Sequence, residues 1–256
     1  MGVSSRRCRT RHFYDRPKRP NGIGYFRDAR ACIIRLVSGI AVFILAGGKS
    51  SRMGADKAFL RLGGRTLLDR ALELAANVGG VGTAAPRRTA DRTSTRSKWV
   101  FIVGDPAKFA AFTPAVQDIY LDRGPLGGIH AALRSSNADL NLMLAVDLPF
   151  VTARLLNYLL LRAEKSGAVV TVPRIEGRYQ PLCAIYRKEF AVVAEAALAR
   201  GKNKIDALFS EVSLCAVSDE ELADAGFSRT AFRNVNTPED WEQTKRQVES
   251  QTQHLS

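Results

Sequence analysis

The sequence predicts an α/β protein, a Rossmann-like three-layer sandwich in which a mostly parallel sheet carries helices on both faces. Three observations predict it. Short apolar runs alternate with segments of helical period, the pattern of strand–helix crossovers. Leu140–Val146 reads LNLMLAV, a nearly continuous apolar run of the kind a strand buried on both faces requires. A glycine pair, Gly47–Gly48, follows the first apolar run directly, at the strand end where open sheets of this class bind ligands.

Taken in order, Ala41–Ala46 is the first expected strand, and Thr66–Val78 a helix with Leu67, Leu68, Ala71, Leu72 and Ala75 on one side. Trp99–Val103 and Val116–Tyr120 are the next strands, with a short helix over Pro106–Phe112 between them. Leu126–Ser135 is a helix, Leu140–Val146 the central strand, and Thr152–Glu164 a helix with Leu155, Leu156, Leu159 and Leu160 on one face. Ala168–Val172 follows as a strand, then Tyr179–Tyr186 as an antiparallel addition. Helices are expected over Lys188–Ala199 and Lys204–Phe209, and strands near Ser213–Val217 and Ala231–Val235. The last helix starts at Thr237, where Thr-Pro-Glu-Asp supplies a hydroxyl N-cap, a proline at the first helical position and acids in the first turn. Right-handed crossovers place the loops at the strand carboxyl ends along one edge. The glycine loop, Asp118 and Asp147 should therefore converge there.

Charge divides the chain. Residues 1–35 carry ten Lys+Arg against two Asp+Glu, and residues 79–98 carry five against one, within a total net charge of +13. The rest is close to neutral. Residues 1–38 read as a disordered basic extension, or as the product of a translation start called too far upstream, because their composition cannot bury a core. Residues 39–250 read as one domain, interrupted by a mobile insertion at 79–98. No nucleic-acid-binding motif accompanies the basic segments, so no nucleic-acid partner is expected. No apolar run reaches the ~18 residues of a membrane span. Cys8, Cys32, Cys183 and Cys215 form no CxxC pair, and no histidine stands at metal-ligand spacing. Cys183 and Cys215 read as small core residues, and a cytoplasmic location is expected.

The chemistry concentrates in LAGGKSSRMGADK, Leu45–Lys57. Adjacent glycines let a bulky anion approach the backbone, and loop N–H groups can face phosphate oxygens. Lys49, Arg52 and Lys57 supply cations, Ser50 and Ser51 hydroxyls, and Gly54 a second flexible point. The stretch is an anion cradle of triphosphate size, and it is neither a Walker A loop nor GxGxxG. Asp147, in AVDLPF, ends the most buried strand and is a hard ligand suited to Mg²⁺. His12, His130 and His254 lie in the tail, after a loop and at the C-terminus, and none is expected to act as a catalyst.

LAGGKSSRMGADKAFL resembles the loop of the molybdenum cofactor guanylyltransferases, nucleotidyltransferases of the GT-A type. The LAGG opening and the Asp56–Lys57 pair favour this branch over relatives that make sugar nucleotides or isoprenoid precursors. The resemblance implies transfer of GMP from GTP to the terminal phosphate of molybdenum-molybdopterin, with Mg²⁺ as cofactor and release of pyrophosphate. It assigns Lys57, Arg52 and Asp147 to catalysis, with Asp147 as the metal ligand. It assigns Leu45, Ala46, Gly47, Gly48, Lys57, Asp118, Gly124, Pro125, Leu126 and Asp147 to GTP. On the acceptor side it implies Gln180 and Pro181 in GRYQPLCAIY, Lys204 in GKNKIDALF, and Asn234 and Asn236 in FRNVNTPED. Lys202 and Lys204 stand where the family more often has arginine. Transient contact with cofactor-insertion proteins or molybdoenzymes is the implied partnership. The alternatives are a cytidylyl- or sugar-phosphate nucleotidyltransferase of the same fold, or a non-catalytic nucleotide- or nucleic-acid-binding protein.

Overall fold

The computed structural model describes residues 39–47, 56–78 and 100–253, with side chains to residue 250. The basic extension, the insertion at 79–98, and Gly48, Lys49, Ser50, Ser51, Arg52 and Gly54 of the glycine loop lie outside the described residues.

The strands are β1 (Ile40–Leu45), β2 (Arg61–Leu62), β3 (Arg65–Thr66), β4 (Val100–Val103), β5 (Ala115–Val116), β6 (Leu140–Ala145), β7 (Val170–Ile175), β8 (Arg178–Tyr179), β9 (Cys183–Tyr186) and β10 (Leu214–Ser218). The helices are α1 (Leu67–Ala76), α2 (Pro106–Phe109), α3 (Pro125–Ser135), α4 (Ala153–Ser166), α5 (Phe190–Ala199), α6 (Asp219–Asp224) and α7 (Pro238–Gln253). Among the described residues, the main sheet has the order β10-β7-β9-β6-β1-β4-β5, with β8 paired to β7. All neighbours along this path are parallel except β9, which runs antiparallel between β6 and β7.

The core explains the central strand. Every residue of β6 is buried, because helices cover both faces. Leu142, Leu144 and Ile44 pack with Leu67, Leu68, Leu155 and Leu159 of α1 and α4 on one side. Met143, Phe43 and Ala41 pack with Ile129, Leu133, Phe190 and Ala194 of α3 and α5 on the other. Asn141, the one polar residue of β6, is fully buried and donates to the carbonyls of Ala138 and Tyr186, 3.2 Å from each. The helix starts are capped as their sequences require. Thr66 and Asp69 form a reciprocal box on α1, Thr152 caps α4, and Thr237 with Asp240 does the same at α7. No helix among the described residues is long and apolar enough to cross a membrane.

The strand order fixes the ligand edge. From β1 the chain moves outward through β4 and β5, then returns to the other flank of β1 as β6. The carboxyl ends of β1 and β6, in register at Leu45 and Ala145, therefore flank the point where strand order reverses, and crevices open at such points.

Several sequence-based expectations are corrected. The third expected strand stops at Val116, so Asp118 stands beyond it. Tyr179–Tyr186 is not one strand: Gln180–Leu182 form a turn, with the Cys183 N–H on the Gln180 carbonyl at 3.0 Å. Ala231–Val235 is not a strand either. Ser228 caps a 3₁₀ turn over Arg229–Phe232, and the Val235 N–H goes to the Asp147 carbonyl instead of a strand ladder. The expected helix at Lys204–Phe209 is a 3₁₀ segment, Asp206–Glu211. The hairpin β2–β3 and helix α6 are additions that the hydrophobic period did not show.

Candidate active site

At the end of β1, Ala46 is buried. The N–H groups of Ala46 and Gly47 both donate to the Val103 carbonyl, at 3.1 and 3.0 Å. These two N–H groups tie β1 to β4; the glycine-loop N–H groups from Gly48 to Ala55 lie outside the described residues. Gly47 retains its other role. A Cβ there would sit 3.5 Å from the Val103 carbonyl oxygen and 3.6 Å from the Gly104 Cα, so the backbone surface stays low beside the strand end.

Lys57 opens a 3₁₀ turn, Lys57–Phe59. Its orientation is set from behind. Asp56 caps the turn by accepting from the Ala58 N–H at 3.1 Å, and pairs with Lys108 of α2. The Lys108 ammonium lies over the rings of Phe59 and Phe109, 5.5 and 4.8 Å from their centroids, and burial pushes its pKa down. This support was missed in the sequence, although Asp105-Pro106 is a readable helix start.

Held this way, Lys57 Nζ donates to Asp147 Oδ2 at 3.1 Å and to Asn236 Oδ1 at 2.7 Å. The Lys57 and Asp147 side chains are 19% and 18% exposed, a sheltered pair still open to solvent and ligand. The Asp147 carbonyl accepts from the Val235 N–H at 3.0 Å, which fastens the Asn234–Asn236 segment beside the end of β6. Val235 is fully buried between Asn234 and Asn236, both exposed. Asp240 completes the junction by accepting from the Asn236 and Thr237 N–H groups at 3.0 and 2.9 Å, and these hydrogen bonds hold its carboxyl below the usual range. Three segments remote in sequence thus meet at one ammonium.

The same geometry tests the expected metal. No group of three or more His, Cys, Asp and Glu able to hold an ion occurs among the described residues. Mg²⁺ needs less, because it commonly takes one or two carboxylates and completes its shell with phosphates and water. Asp147 and Asn236 offer two hard oxygens that already converge on one cationic centre, so these residues fit the ion.

Asp118 lies just past β5, with its carboxylate against the first turn of α3. A Cβ on Gly127 would lie 3.7 Å from Asp118 Oδ2, and one on Gly128 would lie 3.6 Å from Oδ1. The Gly128 position is also 3.2 Å from Val103 Cγ1 and 3.7 Å from Leu45 Cδ2. Glycine at 128 is thus what lets α3 settle onto the ends of β1 and β4. Gly124 (φ +63°) turns the chain into α3, Pro125 takes the first helical position and Leu126 is buried. This places Leu45, Asp118 and the Gly124–Gly128 loop side by side. Burial pushes the Asp118 pKa up, and no described residue donates to its carboxylate.

Because the folded-state pKa of Asp118 is raised, the native protein holds its proton more tightly. Stability from this residue falls as pH rises through the window above the ordinary carboxylate value. Asp118→Asn should therefore melt no lower than wild type at pH 7, and any gain should vanish in acid. Nucleotide binding should weaken by about tenfold through loss of a charged acceptor. Thermal melts across pH and nucleotide titration check this; a lower melting temperature at pH 7 with unchanged titration would refute it.

Of the residues that the resemblance implies for the acceptor, Gln180 and Pro181 lie in a turn, Gln180–Leu182, beside the end of β6, because the Leu182 carbonyl accepts from the Ala145 N–H at 2.8 Å. Pro181 is fixed by the Tyr186 hydroxyl, which donates to its carbonyl at 2.8 Å. Lys202 and Lys204 are exposed in the stretch after α5, which Gly201 (φ +73°) terminates. The Gly201 and Lys202 N–H groups return to the Leu198 and Ala197 carbonyls, at 3.0 and 2.9 Å. Tyr179 meets Phe209 edge-on at 5.1 Å, joining the 178–182 and 201–209 segments. The structure does not bring Lys204 into contact with Asp147.

His130 is buried on α3 beside Tyr120, with Nε2 3.6 Å from Glu195 Oε2. Burial lowers its pKa, and it has no access to the crevice chemistry. Cys183 is likewise a core residue, its thiol pushed up to about 12 by burial.

Comparison with known proteins agrees with this geometry. Residues 42–215 match the MobA-like NTP transferase domain. A probable molybdenum cofactor guanylyltransferase from Carboxydothermus hydrogenoformans is 32% identical over 204 residues, covering 79% of this chain and 93% of the relative. Another, from Pelotomaculum thermopropionicum, is 34% identical over 204 residues, covering 77% and 87%. Among solved structures, molybdopterin-guanine dinucleotide biosynthesis protein A from Archaeoglobus fulgidus superposes with a TM-score of 0.67 at 24% identity, over 82% of this chain and 99% of that one. A CMP:2-keto-3-deoxy-manno-octonic acid synthetase shares the fold at 15% identity, with a TM-score of 0.60, over 84% of this chain and 100% of that one. The match over residues 42–215 and the relatives above 30% identity show that the chain belongs to the molybdenum cofactor guanylyltransferase family of MobA-like NTP transferases.

Proposed function

We propose that this enzyme transfers the GMP moiety of GTP to the terminal phosphate of molybdenum-molybdopterin. An oxygen of the acceptor phosphate forms a bond to the α-phosphorus of GTP, the bond from that phosphorus to the β-phosphate oxygen breaks, and pyrophosphate leaves. The observation that carries the reading is the meeting of Lys57, Asp147 and Asn236 at the ends of β1 and β6. It is supported by the names of the family relatives.

A phosphate monoester, with a second pKa near ~6, is largely ionised at neutral pH. The nucleophile needs no general base, and catalysis rests on positioning and on charge. Asp118 and the Gly124–Leu126 loop would hold the nucleoside beside Leu45, Ala46 and Gly47. Lys57 and Arg52 would neutralise the leaving pyrophosphate, and Gly48 would line the nucleotide; Arg52 and Gly48 lie outside the described residues. Gln180, Pro181, Lys204 and Asn234 would border the acceptor. Asp147 and Asn236 would hold Mg²⁺, which would supply Lewis-acid polarisation and charge neutralisation at the phosphates. A cytoplasmic setting and transient contacts with cofactor-insertion proteins or molybdoenzymes belong to the same reading.

The test is pyrophosphate release from GTP, CTP and UTP in the presence of molybdenum-loaded pterin, with and without Mg²⁺. Release from GTP that requires both pterin and Mg²⁺, and exceeds release from CTP or UTP by about tenfold or more, is expected. Equal turnover of CTP would replace the guanylyl assignment with a cytidylyl one. No release from any of the three would remove the enzymatic reading.

A further inference from the structure

The two faces of the ligand edge are joined by a residue with no role so far. The turn between β5 and α3 bends sharply on both sides of Arg123, with φ of +57° at Asp122 and +63° at Gly124, so Arg123 is aimed by its neighbours. Its Cβ lies 3.4 Å from where a Gly127 Cβ would stand. From there the side chain runs away from the β1 side of the loop, and Nη1 comes 3.7 Å from where a Gly201 Cβ would stand. Gly201 ends α5 and begins Gly201–Lys204. Helices α3 and α5 pack side by side over one shared core, with α3 reaching Val103 of β4 and α5 reaching Tyr186 of β9. Arg123 therefore leaves the nucleotide half of the edge and arrives at the acceptor half. It is only partly exposed, and among the described residues no carboxylate or carbonyl pairs with it.

Chemistry says what such a group is for. A partly sheltered guanidinium with no anion beside it among the described residues is a ready partner for a phosphate, which it meets with two parallel N–H donors. Lys202 and Lys204 in the neighbouring segment offer only point charges. We propose that Arg123 binds the terminal phosphate monoester of the acceptor, supplying from the α3 side the planar fork that the 201–204 segment lacks. This assignment rests on the guanylyl-transfer reading above. Gly201 terminates α5 in the left-handed conformation, and the guanidinium lies in ordinary contact range beside it.

The experiment is steady-state transfer by the full chain, wild type against Arg123→Gln and Arg123→Lys, with molybdenum-molybdopterin and GTP varied in turn. Arg123→Gln should raise the acceptor KM by about tenfold or more, with the GTP KM within about twofold. Arg123→Lys should fall between the two, because it restores charge without the fork. Equilibrium dialysis of metal-free molybdopterin should show the same ranking without turnover. An acceptor KM that stays within about twofold while wild type turns over would overturn the role of Arg123 alone. So would a rise confined to the GTP KM, or equal acceptor KM values in Gln and Lys variants. A wild-type protein that neither binds the pterin nor turns it over would overturn both this assignment and the reading beneath it.

Discussion

Asp147→Asn should slow guanylyl transfer by at least about a hundredfold, equivalent to ~2.7 kcal/mol of barrier, while the protein stays folded. The substitution is nearly isosteric and keeps one side-chain oxygen. The backbone at 147 still accepts from the Val235 N–H, so the turn after β6 and the Asn234–Asn236 segment should hold their places. What disappears is the negative charge that faces Lys57 at 3.1 Å and that would serve as a hard ligand to the metal. Both partners of that pair are about a fifth exposed, so its contribution to stability is small, at most about 1 kcal/mol for pairs open to water. The expected drop in melting temperature is accordingly no more than ~2–4 °C. Rate and stability separate, which is the mark of a group held for chemistry. Single-turnover transfer and thermal melts check it together. Activity within about tenfold of wild type, under ~1.4 kcal/mol, would show that the carboxylate is not the metal ligand.

The order of elements and the identity of the central strand were legible because they depend on burial. Leu140–Val146 is apolar for the reason that helices lie on both its faces, and that reason is written in the residues themselves. The meeting of Lys57 with Asp147 was legible only as topology: strand-end loops of a parallel sheet share an edge, whatever their separation in sequence. What could not be read were contacts made by backbone groups. The Ala46 and Gly47 N–H groups looked free in a glycine loop, yet both close onto the Val103 carbonyl, a partner chosen by the β1–β4 pairing. Ala231–Val235 looked like a strand from its apolar alternation, but Val235 gives its N–H to Asp147 and the ladder never forms. Asn236 reaches the site through that bond and not through a strand face. Arg123 was invisible for a different reason. Its aim depends on two positive φ angles in its turn, which leave no periodic trace.

Lys57→Ala should weaken GTP binding by about tenfold to a hundredfold, the range of a hydrogen bond to a charged group, and should also lower kcat. The two effects come from one ammonium with two duties. It donates to Asp147 and Asn236, bridging the carboxylate and the amide oxygen. In the proposed reaction its remaining donor and its charge would face the triphosphate, where charge on the leaving pyrophosphate would grow as the bond breaks. Loss of binding alone would indicate uniform stabilisation of ground and transition states, whereas loss in kcat as well identifies a contact that strengthens during the reaction. Lys57→Arg should not restore activity. The two present acceptors are met by a compact ammonium at 3.1 and 2.7 Å, and a planar fork cannot occupy that point between them. Calorimetric titration of GTP at low and moderate salt, beside steady-state kinetics, measures both parts. A Lys57→Ala protein with an unchanged GTP titration would exclude the lysine from the triphosphate, and the crevice between β1 and β6 would lose its strongest claim to the nucleotide.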